Sequence, residues 1–329
     1  MLNIAVIGAG RIGAIHAANV AAHPNANLTW VADPVEGAAA RLTAKLGGKA
    51  TLDALEAVNA EDVDAIVVGS PTPTHVEMIL AGIAAGKAVL CEKPVDLDIE
   101  RALDCLRQVD AAKGKVMIGF NRRFDPTHNA VHEKAASGLF GKLEQLSIIS
   151  RDPSAPPAGY IPLSGGIFRD MTIHDFDMAR FFLGDIDSVL AVGQNVFDEG
   201  IAEAGDYDSV VVTLTAKSGA VGTITNSRRC AYGYDQRIEA FCSEGMIESK
   251  NQYPDTAAVS TGTYTGAMNR VQDFFLQRYD AAYKLELDAF ITGVEEGKEL
   301  SPSLADGCAA LVLANAALES AKTGAAVKL

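Results

Sequence analysis

Ile4-Ala5-Val6-Ile7-Gly8-Ala9-Gly10-Arg11-Ile12-Gly13 is the stretch that decides the fold of this chain. An apolar run enters a Gly-x-Gly-x-x-Gly loop, and a second apolar run ends at Asp33. Gly8 permits the tight turn out of a strand, Gly10 lets the backbone approach a pyrophosphate, and Gly13 lets the following helix pack close to the sheet. The helix N-terminus then faces the anion. Asp33 comes 20 residues after Gly13, where an acidic side chain accepts hydrogen bonds from an adenosine ribose. This is the pattern of a dinucleotide-binding unit. A phosphate on that ribose would face the Asp33 carboxylate. Two like charges about 4 Å apart at an effective dielectric of about 20 repel by roughly 4 kcal/mol, so NAD is expected over NADP. Asp33-Pro34 also fits a helix cap followed by a first-turn proline, and both roles can hold at once.

Outward from this loop, strand-like runs at Asn27 to Ala32, Ala65 to Gly69, Ala88 to Cys91 and Val116 to Gly119 alternate with Ala-rich helical segments. That alternation predicts a doubly wound parallel sheet, a Rossmann domain over residues 1–121. After Asn121 the runs lengthen and alternate: Leu143 to Ser150, Ser188 to Val196, Ser209 to Ala216, Gly219 to Thr225 and Arg237 to Cys242. They read as an antiparallel sheet, with hairpin turns at Ser218-Gly219 and Ser243-Glu244-Gly245. Helices are expected over Thr172 to Leu183, Gln272 to Glu296 and Leu304 to Thr323, and a loop over Pro153 to Pro162. The fold class is therefore α/β, with an N-terminal Rossmann sheet and a C-terminal α+β domain over 122–329 built on a large, mostly antiparallel open sheet.

Forty-two acidic against 28 basic residues give a formal charge of -14, which argues against nucleic acid or anionic membranes as partners and for small molecules. Five cysteines without a C-x-x-C indicate neither a disulfide framework nor zinc, so they read as reduced, mostly buried thiols. With no basic leader and no uninterrupted apolar stretch of membrane-spanning length, the expected compartment is the cytoplasm.

The chemistry concentrates in two places. Glu92-Lys93-Pro94 sets an ammonium at the carboxyl end of the parallel sheet, where a nicotinamide should lie. Asp170, His174 and Asp177 follow a spacing of four and three, which puts them on one face of a helix. An alcohol carbon gives up a hydride only if its hydroxyl also gives up a proton, and histidine is a base tuned for that. Asp170 would orient the His174 ring, and Lys93 would favour the developing alkoxide by charge. No second histidine or cysteine lies nearby, so no metal is expected. His75, opening the helix after Pro71 and Pro73, reads equally as a solvated first-turn residue or as one at the cofactor's edge. Together Gly8, Gly10, Arg11, Ile12, Gly13, Asp33, Ser70, His75, Glu92 and Lys93 form the expected cofactor-binding set.

GAGRIG, CEKP, GFNRRFDP and FRDMTIHDFDMARFFLG, spaced as here, resemble the glucose-fructose oxidoreductase and inositol dehydrogenase family, and within it the bacterial inositol 2-dehydrogenases. The similarity spans essentially the whole chain. It implies a catalytic set of Lys93, Asp170 and His174, the residues the physical argument selects. It also implies a polyol held by Arg123, Asp177 and Tyr234, with Tyr232 on the same strand face, and a homotetramer joined through the open sheet. The implied reaction is NAD-dependent oxidation of myo-inositol to its 2-keto product. The alternatives are another cyclitol, an aldose such as glucose, or an NAD(H) sensor without turnover, which would have no use for a proton acceptor.

Overall fold

The computed structural model describes residues 1–329, apart from the side chain of Ala158. β1 (Leu2–Ile7), β2 (Ala26–Ala32), β3 (Lys49–Thr51), β4 (Ala65–Val68), β5 (Ala88–Glu92) and β6 (Val116–Gly119) form one parallel sheet in the order β3-β2-β1-β4-β5-β6. Ile4, Val6, Ile66, Val67, Val89 and Ile118 are fully buried. A sheet covered on both faces needs apolar side chains on both, which is why these runs do not alternate. The order reverses between β1 and β4, and a ligand crevice forms at such a reversal. β3 has no apolar run and was not foreseen.

The second sheet takes β7 (Leu143–Arg151), β8 (Ile186–Gln194), β9 (Ser209–Ala216), β10 (Val221–Ser227), β11 (Asp235–Cys242) and β12 (Gly245–Ser249) in the order β12-β11-β7-β10-β9-β8, with Val327–Lys328 beside β8. All neighbours are antiparallel except β7 and β10, which run parallel. Both expected hairpin turns join adjacent antiparallel strands. Inward residues Leu146, Ile148, Val212, Leu214, Ile224 and Ile238 pack with Phe176, Met178, Ala179 and Leu183 of the helix Thr172–Leu183. Leu190, Val192, Val211, Val221, Phe241 and Met246 alternate with buried residues and stay exposed on the opposite face.

Contacts divide the chain into Met1–Asn121 with Ala282–Leu311, and Arg122–Ala281 with Val312–Leu329. The reading that kept all of 122–329 together thus differs over residues 282–311, which pack with the parallel sheet's unit. Two elements also differ in detail. The helix expected over Gln272 to Glu296 is Phe275–Arg278 followed by Asp280–Glu296, and the Pro153 to Pro162 loop gives way to a short helix, Ile161–Ser164. Leu304–Thr323 is the one helix among the described residues long and apolar enough to cross a membrane, a length the sequence reading did not credit to any stretch. Its apolar window is 56% buried in the protein, as in a core helix that passes the same test.

An ionic anchor docks the helix Thr172–Leu183 on the second sheet. Asp175 is fully buried; its Oδ1 accepts from an Arg122 terminal nitrogen at 2.6 Å and from Ser150 Oγ at 2.7 Å, and its Oδ2 accepts from Asn226 Nδ2 at 2.8 Å. Burial opposes the Arg122 cation, but Tyr279 and Asp175 more than offset it and raise the Arg122 pKa. Removing one partner of such a pair strands a buried charge. Asp175→Ala is therefore expected to cost about 3–5 kcal/mol in urea denaturation, and a loss below about 1 kcal/mol would contradict the anchor.

Candidate active site

The Gly8 loop has the shape a dinucleotide needs. Gly8 adopts φ 100°, and a Cβ there would sit 2.7 Å from Gly69 O and Ser70 N. A Cβ on Gly13 would lie 1.9 Å from Gly8 O, so any other residue would push the helix Arg11–Ala22 off the sheet. The space in front of Gly10 is open, leaving room for a pyrophosphate. Arg11 is exposed at the first turn, with Ile12 half-buried behind it. Asp33 Oδ2 accepts from Ala9 N at 2.7 Å, and Oδ1 accepts from Val35 N at 2.9 Å. The next helix begins only at Ala38, after Gly37, so the helix-cap reading of Asp33 fails. Asp33 instead ties its turn to the glycine loop, and its oxygens keep lone pairs for a ribose. These residues fit NAD.

Ser70 Oγ shares a hydrogen bond with Thr74 Oγ1 at 2.6 Å. His75 is buried, 1% exposed, with Nδ1 2.7 Å from Pro94 O and Nε2 2.8 Å from Ser70 O. The solvated reading of His75 is thus wrong, and the ring is occupied with two backbone carbonyls. It ties the loop of Ser70 to the loop of Pro94. Glu92 Oε1 lies 2.8 Å from His16 Nε2. Lys93 is partly exposed and its peptide to Pro94 is cis.

In the second unit, Asp170 and His174 do not share one uninterrupted helix. Ile167–Asp170 ends at Met171, where Thr172–Leu183 begins. Both side chains keep partial exposure, whereas Asp177 is 1% exposed, so the expected common face splits. Asp170 has partners that the helical spacing did not reveal. Arg228, itself 1% exposed, lies 3.5 Å from Asp170 Oδ2 and 3.3 Å from Asp206 Oδ2. Tyr160 Oη donates to Asp170 Oδ1 at 3.2 Å. Asp206 also accepts from Ile167 N at 2.9 Å, so one carboxylate caps the short helix and holds the arginine that holds Asp170. Asp152 completes the cluster: burial pushes its carboxyl up to about 7, the Asp170 charge adds to the rise, and Arg228 and Arg122 oppose it. A buried arginine demands carboxylates, and that was the one signal by which Arg228 could have been found.

The substrate contacts expected from the family resemblance fare differently. Arg123 Nε donates to Asp177 Oδ2 at 2.9 Å and a terminal nitrogen donates to Oδ1 at 2.6 Å, with the guanidinium 4.9 Å over the Phe181 ring. This buried two-point pair makes Arg123 and Asp177 supports for the helix rather than groups open to a polyol. Tyr234 is 5% exposed and packs edge-on against Phe274 and Tyr279. Burial pushes its phenol well up. Tyr232 and Tyr234 both precede β11, so they share no strand face. Tyr232 Oη donates to Asp235 at 2.6 Å and accepts from Arg151 at 2.8 Å. Among the described residues no three His, Cys, Asp or Glu side chains are grouped to hold a metal, and all five cysteines are free and buried.

Comparison with known proteins agrees with this architecture. Residues 2–120 match the oxidoreductase family with an NAD-binding Rossmann fold, and residues 128–248 match the GFO/IDH/MocA C-terminal domain. The chain is 50% identical over 318 residues to an inositol 2-dehydrogenase of Rhizobium meliloti, covering 96% of this chain and 95% of that one. A crystal structure of a myo-inositol dehydrogenase from Corynebacterium glutamicum superposes with a TM-score of 0.98 at 51% identity, over 100% of this chain and 99% of the other. The scyllo-inositol dehydrogenase of Lactobacillus casei, solved with NAD(H) and scyllo-inositol bound, gives 0.92 at 27% identity over 100% and 99%. The chain is a member of the GFO/IDH/MocA family of NAD-binding oxidoreductases.

Proposed function

We propose that this protein oxidises a secondary hydroxyl of myo-inositol to the 2-keto product, with NAD as acceptor, in the cytoplasm. The observation that carries the reading is full-length likeness to inositol dehydrogenases in a chain that keeps Lys93, Asp170 and His174. NAD, held at the Gly8-Gly10-Gly13 loop and Asp33, would supply the hydride acceptor. The protein's own groups handle the proton and the charge. A ring nitrogen of His174 takes the hydroxyl proton, Asp170 orients that ring and balances the imidazolium, and Lys93 Nζ favours the alkoxide oxygen. The Arg228 and Asp206 contacts hold the Asp170 carboxylate in position, so its alignment is set before substrate arrives. A cyclitol carries no charge and is recognised by donors and acceptors; an unpaired one costs about 1–3 kcal/mol. Asp152, beside this cluster, is suited to that reading of the ring.

Kinetics of NADH formation test the assignment. A myo-inositol kcat/KM above that of other inositols and glucose is expected, with NADP at least about tenfold poorer than NAD, the factor corresponding to 1.4 kcal/mol at Asp33. Glucose beating every inositol would overturn the substrate, and no turnover with any of them would favour a sensor. Replacing the base is the sharper probe: His174→Ala should lower kcat by roughly 10²- to 10⁴-fold while leaving the Kd for NAD within a few-fold. A loss of tenfold or less at neutral pH would remove His174 from the role.

The exposed apolar side chains of β8 to β12 support the homotetramer implied by the family resemblance, since a face of this kind marks an association surface. Light scattering should give four times the 34.5 kDa chain mass, and a monomer at micromolar concentration would refute it.

A further inference from the structure

Within reach of the Glu92 charge, the first unit buries an acid that no step above uses. Glu286, on the helix Asp280–Glu296, is 0% exposed, and neither of its carboxyl oxygens has a hydrogen-bond partner. Burial and the Glu92 charge both push its carboxyl far above the usual range. His16, on the helix Arg11–Ala22, is also buried; Nε2 meets Glu92 Oε1 at 2.8 Å, while Nδ1 is without a partner. The His16 ring stands edge-on to Tyr283 at 5.7 Å, and Tyr283 lies one turn before Glu286 on the same helix face. Three elements therefore converge: the helix leaving the glycine loop, the end of β5, and the helix Asp280–Glu296. Glu92 at the end of β5 is the titratable group whose charge reaches Glu286, and His16 on the first helix is the partner of Glu92.

We propose that Glu286 is held as the neutral carboxylic acid and is a positioning residue for the Glu92-Lys93 turn. A second anion in this enclosure would repel Glu92 from His16, and Glu92 carries Lys93 on its other side. With Glu286 neutral, a single negative charge remains, pinned on the His16 ring, and the turn stays in place. The functional consequence rests on the role proposed for Lys93, whereas the protonation state does not.

Two measurements read that state without any turnover. Infrared spectra of the whole protein at pH 8 should show the carbonyl stretch of an un-ionised carboxyl that shifts on carbon-13 glutamate labelling and disappears in Glu286→Gln. Absence of such a band, or its survival in the variant, overturns the proposal. The second is stability against pH. An acid with a raised folded pKa keeps its proton in the fold where the unfolded chain, with its pKa about 4.3, has lost it, so this stabilisation falls as pH rises. The ratio of unfolding constants, wild type over Glu286→Gln, should climb about tenfold per pH unit between pH 5 and 8. A flat ratio contradicts a neutral acid. For positioning, Glu286→Ala should lower kcat more than it raises the KM for NAD, and Glu286→Gln should rescue it. If Gln falls as far as Ala while both variants fold, the positioning role is wrong.

Discussion

The Asp175–Arg122 pair is the constraint on which the placement of the helix Thr172–Leu183 depends. A carboxylate with no exposure is tolerable only when its lone pairs are taken, and here Arg122, Ser150 and Asn226 take them. Those partners come from the start of the second unit, from β7 and from β10, so one side chain pins the helix to two strands that are parallel neighbours. Two residues further on, Asp177 grips Arg123 in the same manner. With Asp175, Phe176 and Asp177 all turned into the protein, His174 just before them keeps partial exposure. A buried ion pair of this kind adds little net stability over an apolar replacement. What it sets here is the rotation of the helix, and with it the direction of the imidazole.

A second chain of contacts does for Asp170 what the first does for His174. Asp206 accepts the amide at the start of Ile167–Asp170 and meets Arg228, and Arg228 reaches Asp170. Gly166 is required at this point: it adopts φ 84°, and a Cβ there would lie 2.8 Å from Asp206 Oδ1. In the first unit the corresponding work falls to backbone and ring contacts, with Asp33 on Ala9 and His75 on Ser70 and Pro94. Buried contacts thus brace the Asp170 carboxylate, the helix of His174 and the loop that follows Lys93. Catalysis by electrostatic preorganisation needs such supports, because groups that must move into place forfeit part of their effect.

Local pattern carried most of the architecture. Continuous apolar runs bounded by glycine and proline marked the parallel strands, period-two alternation marked β7 to β11, and the helix Thr172–Leu183 has the limits its apolar spacing suggested. What escaped shares one cause, since pairing between distant residues leaves no periodic trace. Arg123 and Asp177 are 54 positions apart, and nothing in either neighbourhood shows that they spend their charges on each other. His75 reads equally as a solvated residue or as one at the cofactor's edge, and only the fold shows its ring bound to Pro94 O, 19 residues on. Tyr234 was expected at the polyol from the family resemblance, on a strand face with Tyr232, but Phe274 and Tyr279 pack against it. The parallel β7/β10 pair and the allegiance of residues 282–311 are likewise matters of contact rather than of period.

The proposed reaction requires Lys93 and His174 to act on one reacting oxygen. A double-mutant cycle in kcat for Lys93→Met and His174→Ala tests it most directly, because groups working as a unit are strongly non-additive. The account predicts that the double variant is scarcely slower than the worse single one. Losses that multiply in full, with both single variants folded and binding NAD, would contradict it.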